Sequence, residues 1–407
     1  MKLSFWIVVI ASGFAIVPTL HAAQRRRPMT SRPFWSSLKP GTYKVGFRVI
    51  YFRDHRPWLS SATNTTPDPG RPIRLSVWYP ANPAPSANAM RYGDYLHHSG
   101  PADFQPWNDK MDQLDRESWL SDLRDEVPDA AKMFAVLRAL PAAAYRDAPA
   151  VPGQFPLFLF SGGKASRADA NVELAEYLAS HGYVVAIVPQ LGPSPQELEL
   201  GSSPREIGLH ADDYDAALIQ LHTLPNIDFQ HIAVGGHSAG GEVAVELAFR
   251  HSEVNAVVGL DASYGMLGGV RVLRQLPGYV SGRQMNAALL DLRRAEGSQD
   301  VKLDLTAIDA LHWPEIYRLV FDKAYHGDFT EWGMIAYVLS IPMPANSHDH
   351  TRELGYRVNV RVCEAVLYFL EARLRSRVDA LTKFLSSVQN PGIAYTHVGG
   401  GSKAPQN

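Results

Sequence analysis

Cysteine is nearly absent: Cys363 stands alone among 407 residues. That excludes an intramolecular disulfide and any multi-cysteine metal site. Cys363 sits in an apolar helical run, Val362-Cys363-Glu364-Ala365-Val366-Leu367, which predicts a buried core thiol. Neither sign of charge is in surplus, with 39 Lys and Arg against 41 Asp and Glu. No block of like charge occurs, so nothing points to a nucleic-acid partner. Internal repeats are lacking as well. The N-terminal apolar run, Leu3 to Val17, is short for a transmembrane helix and contains Ser12 and Gly13.

That run follows Lys2 and precedes Pro18-Thr19-Leu20-His21-Ala22-Ala23. A positive start, an apolar middle and small residues near a cleavage point at Ala22 or Ala23 predict a secretory signal over 1–23. The competing reading is an uncleaved N-terminal anchor. Residues 24–36 are polar and contain proline, so they read as a linker. Export with one cysteine suits a periplasmic or secreted protein that does not rely on disulfides.

The apolar share, 46%, is enough for a full core. Strand-like runs begin at Tyr43–Tyr51 and Pro72–Tyr79. An insertion with helical patterns follows over 81–150. Continuous apolar strands then alternate with helical patterns: Pro156–Phe160, a helix from Asp169 to Ser180, Tyr183–Val188, and a helix from His210 to Leu221. Further apolar runs lie at His231–Gly235, Ala256–Leu260, Ala287–Leu292 and Tyr317–Phe321, and a last helix spans Val358 to Leu385. This alternation predicts an α/β fold, with a mostly parallel central sheet covered on both faces by helices. The domain is expected over 37–388, and the Gly-rich tail, 389–407, is expected to lack structure. Trp107, Trp119, Met133 and Phe134 in the insertion fit either a lipophilic lid or the core of a helical subdomain.

Gly236-His237-Ser238-Ala239-Gly240 lies between an apolar strand and a helix-forming run, Glu242–Phe249. Strand, Gly-x-Ser-x-Gly and helix make a nucleophile elbow, in which the serine takes a strained turn above a helix N-terminus. A serine alcohol needs a base, and the base needs an orienting acid. In this arrangement the acid and then the histidine follow the serine in sequence. Asp261 directly follows the strand ending at Leu260, with Asp291 as the alternative. His326 follows the run Tyr317–Phe321 on a loop, with His348 and His350 as rivals. His348 and His350 alternate as a metal pair does, but no clear third ligand is near, so they read as solvated loop residues. His237 is expected to pack with its side chain turned away from that of Ser238. The oxyanion hole needs two backbone N–H groups. Ala239 supplies one, and the loop Ser161–Ala165 the other, from Lys164 with Gly163 as the near alternative. Gly162 and Gly163 then face the substrate. A phosphate-loop reading of Gly-Gly-Lys fails, because Phe158 stands at the first glycine position and Ala165 at the Ser or Thr position.

Five pieces in order carry a resemblance: Phe155-Pro-Leu-Phe-Leu-Phe-Ser-Gly-Gly, Leu178-Ala-Ser-His-Gly-Tyr-Val-Val-Ala, Gly236-His-Ser-Ala-Gly-Gly, Leu260-Asp-Ala and His326-Gly-Asp-Phe-Thr-Glu-Trp. Together they resemble the α/β-hydrolase superfamily, and within it the plasma-type platelet-activating-factor acetylhydrolase and dienelactone-hydrolase-like branch. The resemblance implies Asp261 as the acid and His326 as the base. The family's loop usually reads Phe-Ser-His-Gly, and here Gly162 replaces the histidine. The implied protein is a serine hydrolase of carboxylic esters, acting on a small-molecule or lipid-like substrate without metal or organic cofactor. A peripheral membrane contact is compatible with that reading. Amide or thioester hydrolysis on the same triad, and a non-catalytic binding role on the same fold, are the alternatives.

Overall fold

The computed structural model describes residues 32–58, 68–167, 169–282, 284–343, 349–387 and 392–399. The expected signal segment, 1–23, and His348 lie outside the described residues. The first two strand-like runs become an antiparallel pair, β1 (Lys44–Asp54) and β2 (Arg71–Ala81). The insertion folds as α1 (Gln105–Glu126), α2 (Ala130–Arg138) and a short strand, β3 (Ala144–Arg146). Next come β4 (Phe155–Ser161), α3 (Val172–Ser180), β5 (Val184–Ile187), α4 (Pro204–Leu221), β6 (Ile227–His237), α5 (Gly240–Arg250) and β7 (Val254–Leu260). Short helices α6 (Gly269–Leu273) and α7 (Pro277–Val280) lead to β8 (Ala288–Arg294), and α8 (Thr306–Asp309) leads to β9 (Glu315–Phe321). The chain closes with α9 (Glu331–Val338), α10 (Arg352–Leu374), α11 (Val378–Ser387) and β10 (Ile393–Gly399).

Among the described residues the strands form one sheet, in the order β10-β9-β8-β7-β6-β4-β5-β2-β1-β3. From β5 through β9 in that order, all neighbours are parallel. The inner strands are apolar on both faces because helices cover both. One core holds α1, α2, α3 and α10 against the sheet, and the other holds α4, α5 and α6. The chain leaves β4 across the first face through α3 and returns to β6 across the second through α4. The loops after β4 and β6 therefore part at adjacent strand ends. That parting is a topological switch point, where ligands bind in open α/β sheets.

Three regions depart from the sequence expectation, and a fourth left open there takes a definite place. The segment expected as a linker up to residue 36 packs Phe34 and Trp35 into the core, and the Trp35 indole donates to the buried Glu176. In the insertion, Trp107, Trp119 and Phe134 are buried and Met133 is partly so, as the core alternative has it. The last helix starts at Arg352, behind a Thr351 cap that accepts from the Leu354 N–H, and breaks near Ser376, where φ is 50°. Residues 393–399, within the expected unstructured tail, pair with β9 as an antiparallel edge strand. None of its residues is fully buried and Thr396, His397 and Val398 are exposed in a row, so its signal in the sequence is weak. Cys363 is buried on α10 as expected.

Candidate active site

β6 ends at His237, and α5 begins three residues later. So close a join leaves no room for side chains at its two glycines. A Cβ on Gly236 falls 2.1 Å from the Gly240 carbonyl oxygen, and one on Gly240 falls 2.1 Å from that of Ser161. Ser238, between them, has φ 53°, a left-handed conformation that costs a non-glycine residue of order 1 kcal/mol or more. Its N–H donates to the Leu260 carbonyl and its own carbonyl accepts from the Ser263 N–H, at 3.1 and 3.0 Å. These bonds tie the serine to the end of β7. Its hydroxyl oxygen lies 3.3 Å from that of Ser263.

Asp261 is the first residue after β7, also at positive φ, 41°. Its N–H donates to the Leu292 carbonyl of β8. One carboxylate oxygen lies 2.5 Å from His326 Nδ1 and 3.1 Å from Arg294 Nε, and the other accepts the Arg294 backbone N–H. Burial alone raises a carboxyl group. Here the His326 hydrogen bond and the Arg294 charge outweigh it and hold Asp261 below its ordinary value. His326 stands on the loop between β9 and α9, and its backbone N–H donates to Gln299 Oε1 at 2.8 Å. Arg294 Nη1 donates to the same oxygen at 2.6 Å. Arg294 and Gln299 thus hold the histidine and its acid together. Neither figures in the sequence reading, since Arg294 ends β8 and Gln299 lies on the segment after it, with no motif around either.

The His237 ring lies 4.3 Å from the His326 ring, centroid to centroid, and its Nε2 lies 3.2 Å from the His326 carbonyl. Burial and then the nearby His326 push His237 down to about 3, so its ring stays neutral and packs against the loop. Gly163 lies across the crevice, where an added Cβ falls 3.1 Å from Ser238 Cβ. Next to it, the Ala165 N–H donates to Gln190 Oε1, whose amide nitrogen donates back to the Gly162 carbonyl. Among the described hydrogen bonds, the N–H groups of Gly163, Lys164 and Ala239 have no protein acceptor. Ala239 caps the N-terminus of α5. Ser238, Asp261, His326, Ala239 and the Gly162–Lys164 loop thus meet at one edge of the sheet.

The rival residues lie elsewhere. Asp291 is in the middle of β8 and fully buried, where Arg293 and Arg318 both donate to it. His350 Nε2 is 2.8 Å from Asp328, and the ring stacks on Tyr325. It is buried rather than solvated, which corrects the loop reading. Among the described residues no cluster of three or more metal-ligating side chains occurs.

The strand order, the elbow and the loops at the switch point define the α/β-hydrolase fold, as the ordered motifs implied. A model of the chlorophyllase family matches residues 133–283, which include Ser238 and Asp261 but stop short of His326. Chlorophyllase-1 of Arabidopsis thaliana is 28% identical over 127 residues, covering 29% of this chain and 38% of that relative. The chain thus spans well under half the length of this curated relative. A solved ferulic acid esterase from Streptomyces cinnamoneus superposes with a TM-score of 0.59 at 21% identity, covering 88% of this chain and 98% of that one.

Proposed function

We propose that the protein is a serine hydrolase of carboxylic esters. The observation that carries the reading is the His326–Asp261 contact, set beside a serine held at positive φ at the switch point. The Ser238 hydroxyl turns from Ser263 toward His326 Nε2 and attacks the ester carbonyl. His326 takes the hydroxyl proton. Asp261 fixes the ring with Nδ1 protonated and stabilises the imidazolium. The carbonyl π pair moves onto oxygen, where the N–H groups of Ala239 and Lys164 receive it. Collapse expels the alkoxide, which leaves as the alcohol with the proton from His326. Water then attacks the acyl-enzyme and gives a proton to His326; collapse breaks the bond to the Ser238 oxygen, which takes that proton back from His326 as the acid leaves. The names of the chlorophyllase relative and the esterase neighbour agree with a small-molecule ester substrate.

A fluorophosphonate probe tests the reading directly. It is expected to label Ser238 in the wild type and to leave Ser238→Ala unlabelled. A well-folded wild type that takes no label overturns the assignment. Para-nitrophenyl esters turned over faster than matched anilides and thioesters support ester chemistry, and the reverse order favours the other bond. We also infer export after cleavage near Ala22 or Ala23. Mass spectrometry of the mature N-terminus tests this, and an intact N-terminus on membrane-bound protein favours the anchor.

A further inference from the structure

The segment after β4 carries the proposed oxyanion donor, yet lacks the histidine that the resembling family has at Gly162. It is held instead by Arg167, whose guanidinium lies 4.0 Å from the Trp119 ring centroid on α1. One guanidinium nitrogen donates to Ser118 Oγ at 3.1 Å and to Asp122 at 2.9 Å, both on α1. The other donates at 3.0 Å to Glu331, the first residue of α9. Two residues on, Asp169 accepts from the Tyr92 hydroxyl at 2.5 Å and from the Trp119 indole at 3.0 Å. Asn171 completes the series: its N–H donates to Glu331 at 2.8 Å and its amide to the Phe329 carbonyl at 2.8 Å. The insertion is thereby bonded to the segment after β4, and that segment to the loop bearing His326.

We propose that the 81–150 insertion is a brace for the oxyanion loop, and that Arg167 is its positioning residue. This rests on the hydrolase reading above. A planar fork over an indole suits the task, because it fixes direction as well as distance. Two acceptor sets on separate elements then fix where Lys164 N–H points, relative to the histidine loop. The carbonyl oxygen develops its charge at that N–H, so a shift of the loop weakens the transition state more than substrate binding.

The full-length chain and its Arg167→Met, Arg167→Lys and Glu331→Gln variants are to be compared with para-nitrophenyl acetate and with the fluorophosphonate probe. Arg167→Met is expected to lower kcat about 10- to 100-fold, the cost of an ångström-scale misplacement, with KM within about threefold. Arg167→Lys recovers part of the loss. Adding Glu331→Gln to Arg167→Met is expected to cost little more, since both open the same clasp. A folded Arg167→Met with wild-type kcat and labelling rate overturns the brace. Should Arg167→Met not fold, Asp122→Asn and Ser118→Ala at the outer end of the clasp are read instead. Each is expected to lower kcat about threefold at an unchanged melting midpoint, and unchanged kcat in both overturns the proposal. A wild type unreactive toward the probe counts against the hydrolase reading itself. A reactive wild type with an equally reactive Arg167→Met counts against the brace alone.

Discussion

The two walls of the crevice are built by different means. On the β6 side, Gly236 and Gly240 let strand and helix meet at distances where any Cβ collides with backbone. The shape there follows from five consecutive residues. On the β4 side, Gln190 bonds the loop at Ala165 and Gly162, while Arg167, Asp169 and Asn171 after it reach partners on α1, α9 and the turn Tyr92–Tyr95. A backbone constraint is local and depends on one absent atom. A side-chain constraint depends on residues brought from distant parts of the chain, and it fails piecemeal.

The sharpest way to break the comparison is at the elbow. Ser238→Ala is expected to lower ester hydrolysis by on the order of 10⁴-fold or more, measured as kcat at saturating substrate, with little change in melting midpoint. Next is the contrast between the two buried aspartates. Asp261→Asn is expected to cost kcat about 10⁴-fold through the wrong histidine tautomer, while the fold persists. Asp291→Asn leaves Arg293 and Arg318 without their buried partner and is expected to destabilise by about 3–5 kcal/mol in urea unfolding. Its activity per folded molecule should stay near wild type. Equal effects of the two variants on kcat would falsify the assignment of roles.

The pH dependence of stability separates the same residues by a smaller effect. Asp291 is also held below its ordinary value: burial raises it, and the charges of Arg293 and Arg318 more than offset that. A carboxyl group lowered in the folded state stabilises the protein above its unfolded value, about 3.9. That contribution is lost as pH falls through the lower folded value. The difference in urea midpoint between wild type and Asp291→Asn is therefore expected to hold from neutral pH to about 5 and to shrink below about 4. In Asp291→Asn the acid fall should be shallower. The smallest effect is expected at Arg294. Replacing it with Met removes one charge-assisted contact to Asp261 and should lower kcat/KM about tenfold. Rates within twofold of wild type in a folded variant exclude a part for Arg294 in holding the acid.

How much of this was legible in the sequence follows the same division. The elbow, the apolar inner strands and Asp261 directly after β7 were readable, because periodicity and glycine spacing are properties of neighbouring residues. The positions of Asp261 and His326 could be ranked over Asp291 and His350 by their place after strands. The partners that turn Asp291 and His350 inward could not be read, because Arg318, Asp328 and Tyr325 reach them only through the fold. Phe34 and Trp35 looked like linker residues, since a short apolar pair has no period to place it. β10 was missed because an edge strand with most of its residues exposed carries little hydrophobic signal. The sequence by itself determined the α/β alternation, the sharp turn at Ser238 and the place of Asp261 directly after an apolar strand, all of which follow from local sterics and burial. Only the tertiary structure decided what holds the β4 loop and the histidine. Arg167, Glu331, Arg294 and Gln299 act through charge and hydrogen bonds between residues far apart in the chain, and such pairings leave no mark on local sequence.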